Sequence, residues 1–552
     1  MNNSLIPAGR ACITFFLAII TGSVEGAYAQ DTVLTSSNLP IIIIQTDGQP
    51  IPDEPKVAAS MRVLRRHEGR NTICDTPSDF DGRIGIELRG NSSLQYEQKQ
   101  YLIETRDTLN QECNVSLCEF PQEHDWILYA PYVDKSLIRN VLVYQIARDM
   151  GWYASRTRFC ELVLNDRYQG VYVLLERIKR DKNRVDIAKL DSSVESGSAL
   201  TGGYIIAIDG NGKDSQLGFP GAYDSSGYYV YWHIYPTSNN INLYQRWYIQ
   251  DYIKAFEDMM RSSSFADCHT GYPAWLNVPS FVDYILINEV ANNVDGFVAS
   301  LYLHKNRDSK DGRLVAGPVW DFNIAFGNAN YADAELVSGW RSHYGRVPFW
   351  WRRLLQDSVF VDALVARWRT LRNSILSSLV TDRRIDSLTA LLGEAQQRHF
   401  QRWALLGQAI WPNYFVGNTW EEEISYLRNW ISSRMSWMDT HIASIALPDD
   451  APTNDIPPSE ATPTAFSLTV HPQPSVDVTH IDVQSPGPAA AEVRIRDILG
   501  REVRNSTIWI GDDGRGACSI ETASLPRGWY GVFLSVNGVP RAVATLLLTA
   551  GG

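Results

Sequence analysis

Two alternating apolar runs in the middle of the chain predict a β-hairpin. Residues 300–306 (S-L-Y-L-H-K-N) and 314–320 (L-V-A-G-P-V-W) have the pattern of strands, and the polar residues 309–312 between them indicate a turn. Asp295 precedes the first strand and Asp321 follows the second. Because a hairpin brings its outer ends together, we expect the two carboxylates to meet at one site. Such a pair can share a divalent metal, or divide the roles of base and metal ligand.

The apolar pattern of the whole chain indicates an α+β fold with strands early and helices late. Alternating or continuous apolar runs predict strands at 39–46, 56–63, 84–89, 100–105, 159–164, 170–176 and 202–209. Helical periodicity predicts helices at 136–150, 244–260, 278–292, 361–379, 385–409 and 420–446. Thr419, followed three positions on by Glu422, has the pattern of a capping box before the last helix.

The C-terminal part of the chain has a different pattern. Residues 447–464 are rich in Pro, Asp and Thr and predict a linker after a main domain at 38–446. Residues 465–552 contain short alternating strands separated by Gly- and Asp-containing turns. This pattern is typical of a small all-β sandwich.

The N-terminus predicts a secretory signal at residues 1–29. Arg10 supplies the positive flank, residues 11–20 the apolar run, and Ala27-Tyr28-Ala29 a small-x-small cleavage site. The apolar run is too short for a membrane span, and no later stretch has the length of one. We therefore expect an exported protein without a transmembrane helix, secreted or held at the cell surface.

Six cysteines follow the predicted signal, an even number that is compatible with disulfides outside the cytosol. Cys113 and Cys118 are the closest in sequence and are the expected local pair. Their spacing, with no accompanying His or second Cys-x-x-Cys, does not favour a zinc site.

Composition and missing motifs exclude several classes of function. Fifty Lys and Arg against 62 Asp and Glu give a net charge of −12, which argues against nucleic acid or anionic lipid as the main partner. No P-loop, Gly-x-Ser-x-Gly or His-Glu-x-x-His pattern occurs. The 17 Trp and 26 Tyr indicate large cores with exposed aromatic loops. They also leave open a glycan hydrolase with two carboxylates.

The spacing around Asp295 and Asp321 is compatible with phosphoryl transfer. In protein kinases a metal-binding residue follows the catalytic Asp after five positions, and a second metal-binding Asp follows a hairpin. Here Ser300 lies five positions after Asp295, and Asp321 follows the predicted hairpin. The structural alternative makes Asp295-Gly296 a turn and Asp321 a helix cap.

Two further features have open interpretations. Residues 90–93 (G-N-S-S) form either a phosphate-binding turn or a plain hairpin turn, with Lys99 shortly after it. Glu176 ends an apolar strand and either reaches water or pairs with a lysine.

Residues 39–446 resemble the CotH family, the spore-coat-protein-H-like atypical protein kinases. The resemblance covers ordered motifs along some four hundred residues. They are L-R-G-N-S-S at 88–93, K-Q-Y at 99–101, D-K-S-L-I-R-N at 134–140, L-N-D-R-Y-Q-G-V-Y-V-L-L-E-R-I at 164–178, G-G-Y-I at 202–205, N-V-D-G-F at 293–297 and A-G-P-V-W-D-F-N-I-A-F-G-N at 316–328.

The resemblance implies a distant protein-kinase-like fold that uses ATP and Mg²⁺ or Mn²⁺ to phosphorylate Ser or Thr hydroxyls of proteins. It implies that Asp295 is the catalytic base and that Asp321 binds metal. The further site residues it implies are Asn323 and Ser300 for metal, and Lys99, Glu176, Arg139 and Asn140 for the nucleotide, with Lys99 also catalytic. Asn323 stands where many relatives have Asp, and Ser300 where some have Asn.

The tail, from about residue 470 to 548, resembles the sorting domains of type IX secretion cargo. The similar segments are H-P-Q-P-S-V-D-V, V-R-I-R-D-I-L-G-R-E-V and L-P-R-G-W-Y-G-V-F-L. The resemblance implies export through the periplasm and recognition by outer-membrane secretion machinery. Export also keeps a second hypothesis open, because ATP is scarce outside cells. On that hypothesis the chain is a surface adhesion or coat-assembly protein whose kinase-like domain has little or no catalysis.

Overall fold

The computed structural model describes residues 34–209, 217–222, 229–448, 467–471, 475, 477–485, 487–496, 502–511, 514–536 and 539–548. The contacts divide the chain into two compact units, Met1–Thr453 and Asn454–Gly552. The predicted signal at 1–29 lies outside the described residues, as does the predicted linker from residue 449 onward.

A closed barrel of seven strands forms the first half of the first unit. The strands of this unit are β1 (Ser36–Ser37), β2 (Ile41–Gln45), β3 (Val57–Leu64), β4 (Asn71–Thr72), β5 (Phe80–Arg89), β6 (Gln100–Arg106), β7 (Asp125–Tyr129), β8 (Thr157–Leu164), β9 (Arg167–Glu176), β10 (Tyr204–Ile208), β11 (Gly218–Pro220), β12 (Val230–Tyr235), β13 (Leu301–Lys305) and β14 (Leu314–Ala316). The barrel order is β2-β3-β5-β6-β7-β9-β8, and the parallel pairing of β2 with β8 closes it.

Alternate residues of the barrel strands form one apolar cluster, as the two-residue period of a strand requires. The cluster takes two residues from each of the seven strands: Ile42, Ile44, Met61, Val63, Ile84, Ile86, Tyr101, Ile103, Trp126, Leu128, Cys160, Leu162, Tyr172 and Leu174. The intervening residues of β7 and β9, such as Ile127 and Val173, join a larger cluster with the helices. The barrel therefore has an apolar interior and packs one outer face against the helical part of the unit.

Eight helices complete the first unit in its described part, so the α+β expectation is confirmed. They are α1 (Arg139–Asp149), α2 (Leu243–Arg261), α3 (Tyr272–Trp275), α4 (Val278–Ala291), α5 (Phe349–Leu354), α6 (Ser358–Arg372), α7 (Ser378–Arg402) and α8 (Trp420–His441). The helix predicted at 361–379 ends earlier, at Arg372, because Ser377 caps the next helix by accepting from the Val380 N–H. At the start of α8, the Thr419 hydroxyl accepts from the Glu422 N–H at 3.2 Å, as the capping pattern indicates.

The predicted hairpin is present as β13 and β14. These strands belong to a five-stranded sheet of order β11-β12-β10-β13-β14, and His304 pairs with Val315. The second strand ends at Ala316 instead of residue 320. Gly317 adopts a φ of +112° and donates its N–H to the Tyr302 carbonyl at 2.8 Å, so the chain turns out of the sheet there.

The second unit consists of strands in two sheets. They are β15 (Ser467–His471), β16 (Val478–Gln484), β17 (Ala489–Arg496), β18 (Glu502–Ile510), β19 (Arg515–Glu521), β20 (Gly528–Val536) and β21 (Val539–Leu548). One sheet has the order β15-β16-β19 and the other β18-β17-β20-β21, and one apolar cluster draws residues from both. This part of the chain is all-β, as its alternating pattern predicts.

The described residues also bear on the expected disulfide and on the expected absence of a transmembrane helix. The expected Cys113–Cys118 disulfide is absent: all six described cysteines are free, and Cys118 is buried in the barrel core. Among the helices that the structure describes, none combines the length and the apolar character needed to span a bilayer.

Candidate functional site

A polar cavity of about 280 Å³ lies where the barrel meets α1 and the two ends of the β13–β14 hairpin. Asp295 and Asp321 both line it, so the hairpin brings them together as the sequence predicts. Ser300 and Asn323 also line it. The remaining walls come from the barrel, from α1 and from three loops: Arg89, Gly90, Asn91, Ser92, Ser93, Tyr96, Gln100, Ile127, Tyr129, Val133, Asn140, Tyr144, Leu175, Asp209, Ala299, Trp320, Ile324, Tyr331, Trp411 and Pro412.

The backbone around Asp321 is fixed from helix α1. Asp321 has a φ of +57°, in the left-handed region that Asp and Asn tolerate better than most residues. Its N–H donates to the Tyr144 hydroxyl at 3.2 Å, and the next N–H, of Phe322, donates to the Asn140 side-chain oxygen at 2.6 Å. Helix α1 therefore holds the turn that presents the Asp321 carboxylate.

Asp295 sits in a tight turn directly after helix α4. Its carbonyl accepts from three successive N–H groups, those of Val298, Ala299 and Ser300, at 2.9–3.1 Å. The helix before it ends at Asn292, which has a φ of +42°. This turn keeps the Asp295 side chain beside the start of the hairpin.

Neither carboxylate has a hydrogen-bond partner in the described part of the chain, and both are half-buried. Burial, then the negative charges of Asp321 and Asp209, raise the pKa of Asp295 to about 7. Burial also raises the pKa of Asp321, and the Arg89 guanidinium acts in the opposite direction. The cavity thus brings the negative charges of Asp295, Asp321 and Asp209 near one another.

The cavity lining offers donor atoms of the chemical kind that a hard divalent cation takes. The carboxylates of Asp295 and Asp321, the amide of Asn323 and the hydroxyl of Ser300 are oxygen ligands of the kind that Mg²⁺ and Mn²⁺ prefer. Two half-buried carboxylates without hydrogen-bond partners are also what a bound cation would stabilise.

The Gly90–Ser93 loop begins the connection between the antiparallel strands β5 and β6 and lines this cavity. All four residues line it, and a short 3₁₀ helix, Ser92–Gln95, follows the glycine. Gly90 has a φ of +112°, and a Cβ at this position would lie 1.8 Å from the Ser93 hydroxyl oxygen. The loop conformation therefore requires glycine at position 90.

Three of the four predicted nucleotide-binding residues, Lys99, Glu176 and Arg139, do not line the cavity. The Lys99 ammonium donates to the Leu94 carbonyl at 2.6 Å, at the base of the loop. Glu176 is fully buried and accepts from the Arg156 side chain at 2.8 Å and from the Tyr153 hydroxyl at 3.2 Å. Because strand residues alternate between faces, Leu175 lines the cavity while Glu176 points away from it.

Arg139 and Asn140 have different placements at the start of α1. Arg139 is fully buried, and its guanidinium donates to Asp134 at 2.6 Å and to the Ala325 carbonyl at 3.0 Å. Asn140 lines the cavity and holds Phe322. The D-x-S-x-x-R-N motif thus connects helix α1 to the segment that follows Asp321.

The sequence does not indicate that Arg89, Asp209 and Tyr144 belong to the cavity, although all three line it. Arg89 ends β5 and stacks over the Trp320 ring at 5.2 Å, Asp209 follows β10, and Tyr144 lies on α1. Each follows or belongs to an element that the sequence predicts. Only the three-dimensional fold shows that these elements converge.

A second group of possible metal ligands lies outside the cavity. Glu123, His124 and Asp125 have ligand atoms within 4.8 Å of one another. However, the Lys179 ammonium contacts Glu123 at 3.1 Å and Asp125 at 2.8 Å, so a cation already neutralises the pair. The cluster is accounted for as an ion-pair network.

Comparisons with known proteins agree with the motifs. The family model described as CotH kinase protein matches residues 86–438, and that of the secretion system C-terminal sorting domain matches residues 469–543. No curated protein matches.

Two solved structures have weak similarity to the chain. One is the CARDB domain of the PF1109 protein from Pyrococcus furiosus in complex with di-metal ions. It is 15% identical, covers 15% of this chain and 86% of its own, and has a TM-score of 0.12. The other is the Pseudomonas fluorescens alkylpurine DNA glycosylase AlkC bound to DNA containing an abasic site analog. It is 11% identical, covers 38% of this chain and 78% of its own, and also has a TM-score of 0.12.

Scores this low support no conclusion about fold or function. The family match, in contrast, spans more than half of the chain and contains Asp295, Asp321 and the loop above them. The chain belongs to the CotH kinase protein family and carries a C-terminal secretion sorting domain.

Proposed function

We propose that this protein is an exported, kinase-like phosphotransferase that moves the γ-phosphate of ATP to Ser or Thr hydroxyls of secreted or surface proteins. The observation that carries the proposal is that Asp295 and Asp321 line one cavity together with the Gly90–Ser93 loop, and that neither carboxylate has a hydrogen-bond partner among the described residues. The family match supports it. In this proposal the barrel corresponds to the nucleotide-binding lobe of a distant protein-kinase-like fold.

Asp295 is the base in the proposed reaction. Its carboxylate accepts the proton of the acceptor hydroxyl while the hydroxyl oxygen forms a bond to the γ-phosphorus and the bond to ADP breaks. A pKa of about 7 for Asp295 suits this role, because the group is then a stronger base than an ordinary carboxylate and is still largely ionised above neutral pH.

Asp321, Asn323 and Ser300 are the proposed ligands of Mg²⁺ or Mn²⁺. Bound there, the metal would neutralise phosphate charge during transfer. Arg89, which lines the same cavity, places a guanidinium where phosphate oxygens would bind. In the proposal Arg89 supplies the positive charge inside the cavity, and Lys99 supports the loop through the Leu94 carbonyl.

The sorting domain supports a proposed route of export. Recognition of residues 469–543 by outer-membrane secretion machinery would bring the protein to the cell surface or the medium. Its protein substrates would then be surface or secreted chains.

A second candidate is a kinase-like adhesion or coat-assembly protein with little or no catalysis. The observation that favours it is the position of Lys99 and Glu176 outside the cavity wall, together with the neutral side chains of Asn323 and Ser300. A neutral ligand contributes less to metal affinity than a carboxylate does.

Titration calorimetry with ATP and Mn²⁺, followed by incubation with γ-labelled ATP, distinguishes the two. The phosphotransferase proposal expects Mn²⁺-dependent nucleotide binding and label on protein. Nucleotide binding without label would favour the adhesion protein. No binding at millimolar ATP would contradict the phosphotransferase proposal and would also favour the adhesion protein.

A further inference from the structure

A second cavity of about 270 Å³ lies between the end of helix α1, helix α4 and the outer face of the hairpin. It shares no lining residue with the first cavity. Aromatic and aliphatic side chains form most of its wall: Ala147, Met150, Trp152, Tyr153, Val185, Tyr284, Ile287, Val315, Ala316, Pro318 and Val319. The other lining residues are Arg184, Asp186, Ser280, Asp283, His304 and Gly317.

Most polar side chains in this wall are already engaged. Asp283 accepts from the Trp152 indole at 2.8 Å and from the Arg367 guanidinium at 2.8 and 2.9 Å. The Ser280 hydroxyl donates to the Asn277 carbonyl at 2.7 Å and accepts from the Ala316 N–H at 3.0 Å. These groups therefore present little free hydrogen-bonding capacity to a ligand.

Tyr153 and Arg184 are engaged in the same way. The Tyr153 hydroxyl donates to Glu176 at 3.2 Å, and Arg184 donates to the carbonyls of Arg177 and Asp125 at 2.9 and 3.0 Å. The Arg184 guanidinium thus donates to backbone carbonyls and is not available to a ligand in the cavity.

His304 is the exception. Its Nδ1 lies 3.2 Å from the Gly317 carbonyl oxygen, which can only accept, so Nδ1 carries the hydrogen. Burial lowers the pKa of His304 to about 4, so the ring is neutral at pH 7 and Nε2 is a bare acceptor. No residue in the described part of the chain donates to Nε2.

We propose that this cavity binds a small, neutral aromatic molecule carrying one hydrogen-bond donor, which reaches His304 Nε2. Its volume lies near the lower end of ligand cavities, about 300–1,000 Å³. The rings of Trp152, Tyr153 and Tyr284 offer apolar and stacking surface.

An anionic ligand fits this cavity poorly. It would lose hydration, the Arg184 guanidinium already donates to two backbone carbonyls, and the exposed carboxylate of Asp186 at the wall would repel it. The apolar wall and the neutral acceptor of His304 favour a neutral ligand with a single donor.

The second cavity is independent of the proposed catalysis, because none of its lining residues lines the first cavity. The two cavities are nevertheless neighbours along the chain. Gly317, Pro318 and Val319 line the second, and Trp320 and Asp321 line the first.

Phenol and toluene provide a matched pair of probes, because they differ in a hydroxyl against a methyl group. Binding of each to the full chain without nucleotide is measured by ligand-observed NMR titration. Phenol is expected to bind more tightly than toluene, by about threefold to tenfold, the usual effect of one hydrogen bond.

Two variants localise the effect. His304→Phe keeps a ring but removes the acceptor, so phenol loses its advantage while toluene binding remains. Val315→Phe places a larger side chain in the wall, and both probes should lose binding. If Val315→Phe does not fold, the ratio of phenol to toluene affinity in His304→Phe tests the proposal without it.

Absence of phenol binding to the folded wild-type protein would overturn the proposal. So would an unchanged preference for phenol in His304→Phe, since the hydrogen bond would then lie elsewhere. Retention of both probes by a folded Val315→Phe variant would place binding outside this cavity.

Discussion

Asp295 illustrates how a side chain with a proposed catalytic role can reduce the stability of a fold. Its carboxylate is half-buried, lacks a hydrogen-bond partner in the described residues and lies near the negative charges of Asp321 and Asp209. Such an arrangement stabilises the protonated acid and disfavours the ionised form. The folded state therefore holds a proton at Asp295 over a pH range in which the unfolded chain has released it.

The sign of the pH dependence follows from that difference. Because the pKa of Asp295 is raised from 3.8 to about 7 on folding, its contribution to stability is full at low pH and is lost as pH rises through 7. Asp295→Asn, which cannot ionise, should raise the free energy of unfolding at pH 8 by about 1–3 kcal/mol. This is less than the whole pKa displacement, because the site is partly open to solvent. At pH 4 the variant and the wild type should be similar.

Thermal unfolding at pH 4, 6 and 8, without metal, measures this effect. Asp311→Asn is the matched control, because it makes the same change in the exposed turn of the same hairpin. An Asp295→Asn variant that is less stable than wild type at pH 8 would contradict the assignment of a destabilised carboxylate.

The buried pair of Glu289 and Arg434 has the opposite effect on stability. Both side chains are fully buried, at 3.0 Å, and Glu289 also accepts from the Arg341 and Ser342 N–H groups. Glu289→Ala leaves a buried guanidinium without its countercharge and should cost about 3–5 kcal/mol.

Asp386→Ala is the comparison for the buried pair. Its ion pair with Arg428 lies largely in solvent, so removal should cost less than about 1 kcal/mol. Denaturant unfolding of the two variants gives both values. A similar, small loss in each would show that the link between α4 and α8 contributes little.

At the scale of elements, helices and the hairpin were largely predictable, and barrel closure was not. Helix α4 begins at the predicted Val278, and the strands on either side of the turn at 309–312 pair as expected, because periodicity and turn residues are local signals. The parallel pairing of β2 with β8 joins residues more than a hundred positions apart, as in Ile41 opposite Glu161. No local pattern encodes such a contact.

The same distinction applies to the site. The hairpin pattern predicts that Asp295 and Asp321 meet, and the family resemblance adds Ser300 and Asn323 on the same flanks; all four line the cavity. Arg89 also lies at the end of a predicted strand. Its closeness to Asp321, however, depends on how the barrel packs against the helices, which no local pattern predicts. Lys99 is a residue that the sequence assigns to the site and the fold places elsewhere. Its charge would suit a phosphate, but its ammonium donates to the Leu94 carbonyl.

The Gly90 loop provides a test at the element scale. Gly90→Ala should weaken ATP binding several-fold, because the added Cβ displaces the Ser93 hydroxyl and the backbone at a φ of +112° becomes strained. Gly69→Ala is the matched control: Gly69 also has a positive φ, +81°, but nothing lies within 4 Å of an added Cβ.

Calorimetric titration with ATP and Mn²⁺ compares the ATP affinities of the two variants. In both, alanine replaces a glycine with a positive φ, so the backbone strain is similar. Equal affinities in Gly90→Ala and Gly69→Ala would mean that the loop does not contribute to nucleotide binding.

At the scale of the whole molecule, the cavity belongs entirely to one compact unit. Every residue that lines it lies within Met1–Thr453, and the all-β tail forms its own unit with its own apolar cluster. Separate cores allow separate folding.

A chain that ends at Thr453 should therefore keep the thermal midpoint of the first unit within about 2 °C and the nucleotide affinity of the full chain. Calorimetric unfolding and ATP titration of both forms measure this. A large fall in the midpoint of the shortened chain would show that the tail stabilises the first unit.

Asp295 and Asp321 are proposed to form a phosphotransfer site. Transfer of label from γ-labelled ATP to protein in the presence of Mn²⁺ tests it most directly, with wild type, Asp295→Asn, Asp321→Asn and the control Asp311→Asn. Asn keeps the backbone conformation that Asp321 adopts at positive φ, so the change is confined to charge. Our account predicts label in wild type and in Asp311→Asn, and at least about a hundredfold less in the two site variants, the lower range for loss of a catalytic base. Undiminished label in both site variants, with all four proteins folded, would contradict it.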